Sequence, residues 1–181
     1  NLKVNTSSSV NQGFFGLLVG KCSNINFENA QITANQKLTG VLAGHVGNAS
    51  AAGVVENVRV SGTINLTSGT GPAAWENGQA GGICGRIQGA ESKIYQCSSE
   101  VSINATWSAG GICGEAKGGA TITQCYSSGV AKSYPNVTPP NPGAGIAGLV
   151  EPSPTALISH CYSECEIAAQ NQVGGILGLA N

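Results

Sequence analysis

This chain of 181 residues contains no aspartate and no methionine, and only 9% of its residues are charged. All nine acids are Glu, which excludes the Asp-rich calcium loops of Gly-Asp β-rolls. Without Met, the sequence begins at Asn1 either after processing or as a piece of something longer. The charged fraction is far below the roughly 25% of ordinary soluble domains. A formal net charge of −1 supplies no basic patch to displace counterions, which argues against nucleic acid as a partner. No polybasic segment addresses an anionic membrane, and no apolar run is long enough for a span. No Cys-x-x-Cys occurs among the seven cysteines, so zinc-ribbon and thioredoxin readings fail. Seven Cys in a chain of this size suit an oxidising compartment instead. No N-terminal signal segment is visible; one that existed has been removed.

What is present is glycine, 27 residues of it, and a hydrophobic fraction of 41%, enough to argue against disorder. The length suits one domain or a run of small repeats around a continuous core. A phrase recurs as Gly16-Leu-Leu-Val-Gly20, Gly40-Val-Leu-Ala-Gly44, Gly81-Gly-Ile-Cys-Gly85, Gly110-Gly-Ile-Cys-Gly114, Ala144-Gly-Ile-Ala-Gly148 and Gly174-Gly-Ile-Leu-Gly178. A second phrase follows it as Val55-Glu-Asn-Val-Arg-Val, Ile94-Tyr-Gln-Cys-Ser-Ser, Ile122-Thr-Gln-Cys-Tyr-Ser and Ile158-Ser-His-Cys-Tyr-Ser, blurred in the first unit to Cys22-Ser-Asn-Ile-Asn-Phe. A third reads Gly62-Thr-Ile-Asn-Leu-Thr, Val101-Ser-Ile-Asn-Ala-Thr and Glu166-Ile-Ala-Ala.

Each phrase is short and alternates apolar with polar positions, which is strand periodicity. Three short strands per unit predict an all-β, right-handed parallel β-helix of about five to six irregular coils. In such a solenoid equivalent residues stack as ladders, and the hand follows the rule for parallel crossovers. Residues 1–181 form one domain in this reading, with loop insertions near 67–80 and 133–142, where Gly, Pro and Ser concentrate.

The phrase GGICG followed by ITQCYSSG resembles the GLUG repeat, a Gly-Gly-aliphatic-x-Gly strand followed by an Ile-x-x-Cys-Tyr-Ser-x-Gly strand. The resemblance covers nearly the whole chain and is best at Gly110 to Val130 and Gly143 to Ser163. It departs at Phe14 to Asn35, which lacks the Cys-Tyr phrase, and at Ala52 to Val60, where Val58 takes the Cys place. Similar repeats occur in large bacterial and protist surface proteins, often beside peptidase or adhesion domains. The resemblance implies a location and an architecture; it carries no catalytic residues and no cofactor.

Cys84 and Cys113 hold one repeat position, and Cys97, Cys125 and Cys161 hold another. Two arrangements follow: bridges within a coil, Cys84–Cys97 and Cys113–Cys125, or unbridged columns of small hydrophobes. Cys161 would then pair with Cys165, leaving Cys22 odd. Sequons stand at Asn5, Asn48, Asn65, Asn104 and Asn136. With sixteen Asn, roughly two or three sequons arise by chance. Asn65 and Asn104, at equivalent sites, add weight to the glycan reading in a eukaryotic source. Trp75 and Trp107 lie outside the phrases and are candidate sugar-contact aromatics, against packing under a loop. Tyr95, Tyr126 and Tyr162 are near-equivalent and expected to stack, Tyr126 with Tyr162 most closely.

Catalysis on such a scaffold needs clustered acids and bases on one face. His45 and His160 fall at different repeat phases, and Glu164 and Glu166 have no evident basic partner. Ice binding needs a recurring Thr-x-Thr, and only Thr121-Ile-Thr123 has that form. The expectation is therefore a secreted or cell-surface, non-enzymatic structural module of a filament or large glycoprotein. It would associate with itself head-to-tail or continue a longer chain, since the last phrase ends in mid-unit and an open coil exposes sheet edges. The alternative is an adhesin or glycan-binding module.

Overall fold

The computed structural model describes residues 2–6, 11–35, 38–67, 78–133, 141–151 and 156–180. The chain enters through β1 (Lys3–Thr6) and β2 (Phe15–Leu18), and a first full layer follows as β3 (Gly20–Ala34), β4 (Thr39–Gly40) and β5 (Ala43–Val46). The next is β6 (Gly53–Leu66), β7 (Gln79–Gly81) and β8 (Cys84–Gln88). A layer of β9 (Lys93–Tyr95), β10 (Ser98–Ala105), β11 (Ser108–Gly110) and β12 (Cys113–Lys117) follows. After it come β13 (Thr121–Thr123), β14 (Tyr126–Ser133), β15 (Gly143–Ala144) and β16 (Ala147–Val150). The last comprises β17 (Leu157–Ser159), β18 (Tyr162–Ser163), β19 (Glu166–Ala169), β20 (Val173–Gly174) and β21 (Leu177–Ala180).

Among the described residues all regular structure is β, and the strands form three sheets. The long sheet holds the opening and closing strands β1, β3, β6, β9, β10, β13, β14, β17, β18 and β19. The second holds β4, β7, β11, β15 and β20, and the third β2, β5, β8, β12, β16 and β21. Pairing is parallel in all three, and each layer lies beside its equivalent in the next. The repeated phrases are thus the rungs of three ladders.

The core follows from this register. Ile32, Ile64 and Ile103 stack in one column of the long sheet, and Ile94, Ile122 and Ile158 in another. Ile64, Ile94, Ile103 and Ile122 are at most 1% exposed, each contributing about 1.5–3 kcal/mol by burial. Where the second and third sheets meet, the backbones nearly touch. A Cβ on Gly114 would stand 2.7 Å from the Ala80 nitrogen, so the closing Gly of the phrase is a requirement of close approach.

The long sheet bends at Asn24, Asn57, Gln96, Gln124 and His160, which share a left-handed conformation with φ between 49° and 59°. Asn accepts that region at small cost, and stacked amides stabilise it; Asn57 Nδ2 donates to Asn24 Oδ1 at 2.7 Å. His160 closes this column and is a bend residue.

Two expectations are corrected. In the first unit the Gly phrase is Gln12-Gly-Phe-Phe-Gly16, because Phe15 pairs with Ala43 and Leu17 with His45. Gly20 instead opens β3 opposite Gly53. Of the loop insertions, 68–77 and 134–140 lie outside the described residues.

Candidate functional site

The third sheet carries a column that reads Leu17, His45, Arg86, Glu115, Leu149, Leu179. Strand pairing therefore places a carboxylate beside a guanidinium with no long-range search. Glu115 is 1% exposed. Its Oε2 accepts from Arg86 Nε and lies near Arg86 Nη2, both at 2.6 Å, and it accepts from Gln79 Nε2 at 3.0 Å. Lys117 Nζ lies 3.7 Å from Glu115 Oε1 and 3.3 Å from Glu151 Oε2. Burial pushes the Glu115 carboxyl up, and the Arg86 charge holds it back. A buried carboxylate is tolerated only when paired in this way.

His45 borders the same group. Burial, then the charges of Arg86 and Lys117, push its imidazole down to about 4. It is therefore neutral near pH 7, and its Nε2 is buried without a hydrogen-bond partner among the described residues. The sequence reading missed this cluster, although a signal was present. His45, Arg86 and Glu115 each directly follow the closing Gly of the phrase, so the repeat register alone aligns them.

The acids of the last layer also differ from expectation. Glu166 has a basic partner in Lys132, at 3.6 Å, because β19 lies beside β14. Glu164 accepts from the phenols of Tyr126 and Tyr162, at 2.7 and 2.6 Å. These rings stack with centroids 5.6 Å apart, as anticipated for that pair. Tyr95 stands in a different column, beside Glu56 and Thr123.

All seven cysteines are free thiols. The bridges Cys84–Cys97, Cys113–Cys125 and Cys161–Cys165 are absent, and the alternative of unbridged columns is what forms. The reason is register: β8 and β12 set Cys84 beside Cys113, with Sγ atoms 3.5 Å apart. Cys125 lies between Cys97 and Cys161 and hydrogen-bonds with both. Donation from Cys125 outweighs burial at Cys161 and pushes that half-buried thiol down to about 7. Cys22 lies in the hydrophobic core. No cluster of three metal-ligating side chains occurs among the described residues.

Of the sequon asparagines, Asn5 is exposed on β1. Asn48 closes a turn, its Oδ1 accepting from the Ser50 and Ala51 nitrogens at 2.8 Å. Asn65 and Asn104 are neighbours on paired strands, and Asn104 Nδ2 donates to Asn65 Oδ1 at 2.7 Å. That nitrogen is the atom a glycan would occupy, so a sugar on Asn104 displaces the ladder bond. Asn136 and Trp75 lie outside the described residues. Trp107 is 7% exposed and its Nε1 has no partner among the described residues. It is packed, which corrects its assignment as a contact aromatic.

The outer face of the long sheet is polar by contrast. A shallow cleft of about 290 Å³ opens there, lined among others by Asn26, Glu28, Arg59, Glu100 and Tyr126.

No protein-family model and no curated protein matches the chain. Among solved structures, it is similar to that "of a putative immunoglobulin A1 protease from Bacteroides ovatus", with a TM-score of 0.64 and 22% identity. The match covers 100% of this chain and 66% of the other. At that identity the likeness is one of fold.

Proposed function

We propose that the chain is a right-handed parallel β-helix built from GLUG-type repeats, and that it is a non-catalytic structural module of an extracellular filament or large surface glycoprotein, stacked end to end. The visit to three parallel sheets in fixed rotation supports the solenoid, and the crossover rule supports its hand. The observation that carries the function is the placement of exposed apolar groups. Phe14, Leu17, Val19, Leu157, Tyr162, Val173 and Ile176 are the large hydrophobics more than a third exposed among the described residues. Every one lies in the opening strands or in the last layer, at the two ends of the stack. Apolar surface concentrated at opposite ends suits contacts along the axis.

The charge cluster of the third sheet supports a structural role, since Arg86, Glu115, Lys117 and Glu151 are committed to one another. The similar structure's chain is longer than this one, which fits a module within something larger. Electron microscopy and sedimentation velocity of the purified protein over a range of concentrations test the reading. Filaments or end-joined oligomers are expected; a monodisperse monomer at high concentration would sink it.

A second reading, an adhesin or glycan-binding module, is favoured by the Arg59 cleft. Its planar amide, guanidinium and carboxylate groups beside a tyrosine suit the hydroxyls and ring faces of a sugar. Affinity electrophoresis in gels containing neutral polysaccharides tests it. Retardation that Arg59→Ala abolishes is expected; equal mobility in every gel removes this reading.

A further inference from the structure

We infer that the two ends join in a defined register, with the last layer of one copy placed directly on the opening strands of the next, so that Glu166 meets Lys3. This rests on the end-to-end reading above and names its partner, a second copy of this chain, and the contacts between copies.

The columns of the stack supply the argument. In the long sheet one column runs from Lys3 through Gln31, Thr63, Ser102 and Val130 to Glu166. It starts on a cation and finishes on an anion. Continued by one more strand spacing, about 4.8 Å, it sets Glu166 of one copy beside Lys3 of the next. The adjacent column runs from Val4 to Ile167 through Ile32, Ile64 and Ile103, so the same step continues the core without a break.

The third sheet reaches the same register independently. There one column starts at Phe15 and ends at Leu177, and its neighbour starts at Leu17 and ends at Leu179. The interior of that second column is His45, Arg86 and Glu115; only its outer members are apolar. A charged pattern that turns to leucine at each end matches a surface that is covered there. Both sheets take the same number of steps from first strand to last, so one translation satisfies β19 on β1 and β21 on β2 together.

Charge supplies the selectivity. A lysine on an edge strand repels indiscriminate pairing, and Lys3 is exposed on the edge strand β1. Glu166, 70% exposed and already 3.6 Å from Lys132, is the group that converts this repulsion into a match.

Assembled protein treated with a carbodiimide, which joins an amine to a carboxylate with loss of water, tests the register by peptide mass spectrometry. A Lys3–Glu166 linked peptide is expected. It can only be intermolecular, because the two residues lie at opposite ends of the stack. Glu166 linked to any other chain or segment, or no Lys3 link in filaments, overturns the proposal. The charge variants give a second readout. Lys3→Glu or Glu166→Lys alone should raise the critical concentration for assembly about threefold to tenfold, the worth of replacing an opposite-charge pair by a like-charge one. The double variant should restore it. Filaments indifferent to the single swaps, or not rescued by the double, discard the register and keep end-to-end assembly. Wild-type protein that never assembles discards both.

Discussion

The middle of the stack and its ends are made of the same phrases, yet they solve different problems. Ile94, Ile103, Ile112 and Ile122 have a layer above and below and are sealed to 1% exposure or less. Leu157, in the same column position as Thr121 and Lys93, has a neighbour on one side and is 57% exposed. A repeat unit has no intrinsic burial; it acquires burial from adjacent layers, and stability is nearly a sum of layer and interface contributions. The middle can therefore hold a buried ion group, whereas the ends hold unburied hydrocarbon.

The sharpest way to break the contrast is to strip a charge from the middle. Arg86→Ala leaves Glu115 buried without its main partner and should cost about 3–5 kcal/mol, read as a fall in the denaturant midpoint. Replacing Arg86 and Glu115 together by leucine should recover most of that loss, since the penalty belongs to the unpaired charge. Next comes hydrocarbon. Ile122→Ala should cost about 2–5 kcal/mol through a cavity, whereas Leu157→Ala should stay within about 0.5 kcal/mol in the unassembled protein. Equal costs at the two sites would erase the distinction.

The smallest effect is acid sensitivity. His45 has a folded pKa of about 4, below the ordinary value near 6.5. The unfolded chain thus binds the proton first, and stability from the neutral imidazole is complete above about pH 6.5 and lost as pH falls toward 4. Allowing for its partial exposure, the loss is on the order of 1 kcal/mol. His45→Gln should flatten the stability profile across that interval, and an unchanged slope would remove His45 from the account.

Much of the architecture was legible because parallel register is periodic. The alignment of Cys22, Val55, Ile94, Ile122 and Ile158 is borne out strand by strand, as is that of Ile64 with Ile103. The first Gly phrase was misplaced because Gly20, a corner glycine with φ of 86°, mimics the spacing of a closing glycine. Thiol pairing was not legible, since composition indicates a compartment while the approach of Cys84 to Cys113 depends on which strands adjoin. The charge cluster was hidden for another reason: Arg86, Glu115, Lys117 and Glu151 are isolated in sequence and meet only once layers are superposed.

The corner between the long and second sheets is crossed by two residues, Thr106 and Trp107, in one layer, by residues 67–78 in another and by residues 134–142 in a third. Despite this range, Gln79 and Ser108 pair directly, as do Ala109 and Gly143. Connection length at that corner is uncoupled from the geometry of the sheets. The corner is consequently a tolerant graft point, where a foreign peptide could be carried outward at a fixed position in the stack while the ladders behind it stay in step. If copies join in register, such an insert would be presented at a regular axial pitch, giving a surface of ordered, repeating display from a single edit to the chain.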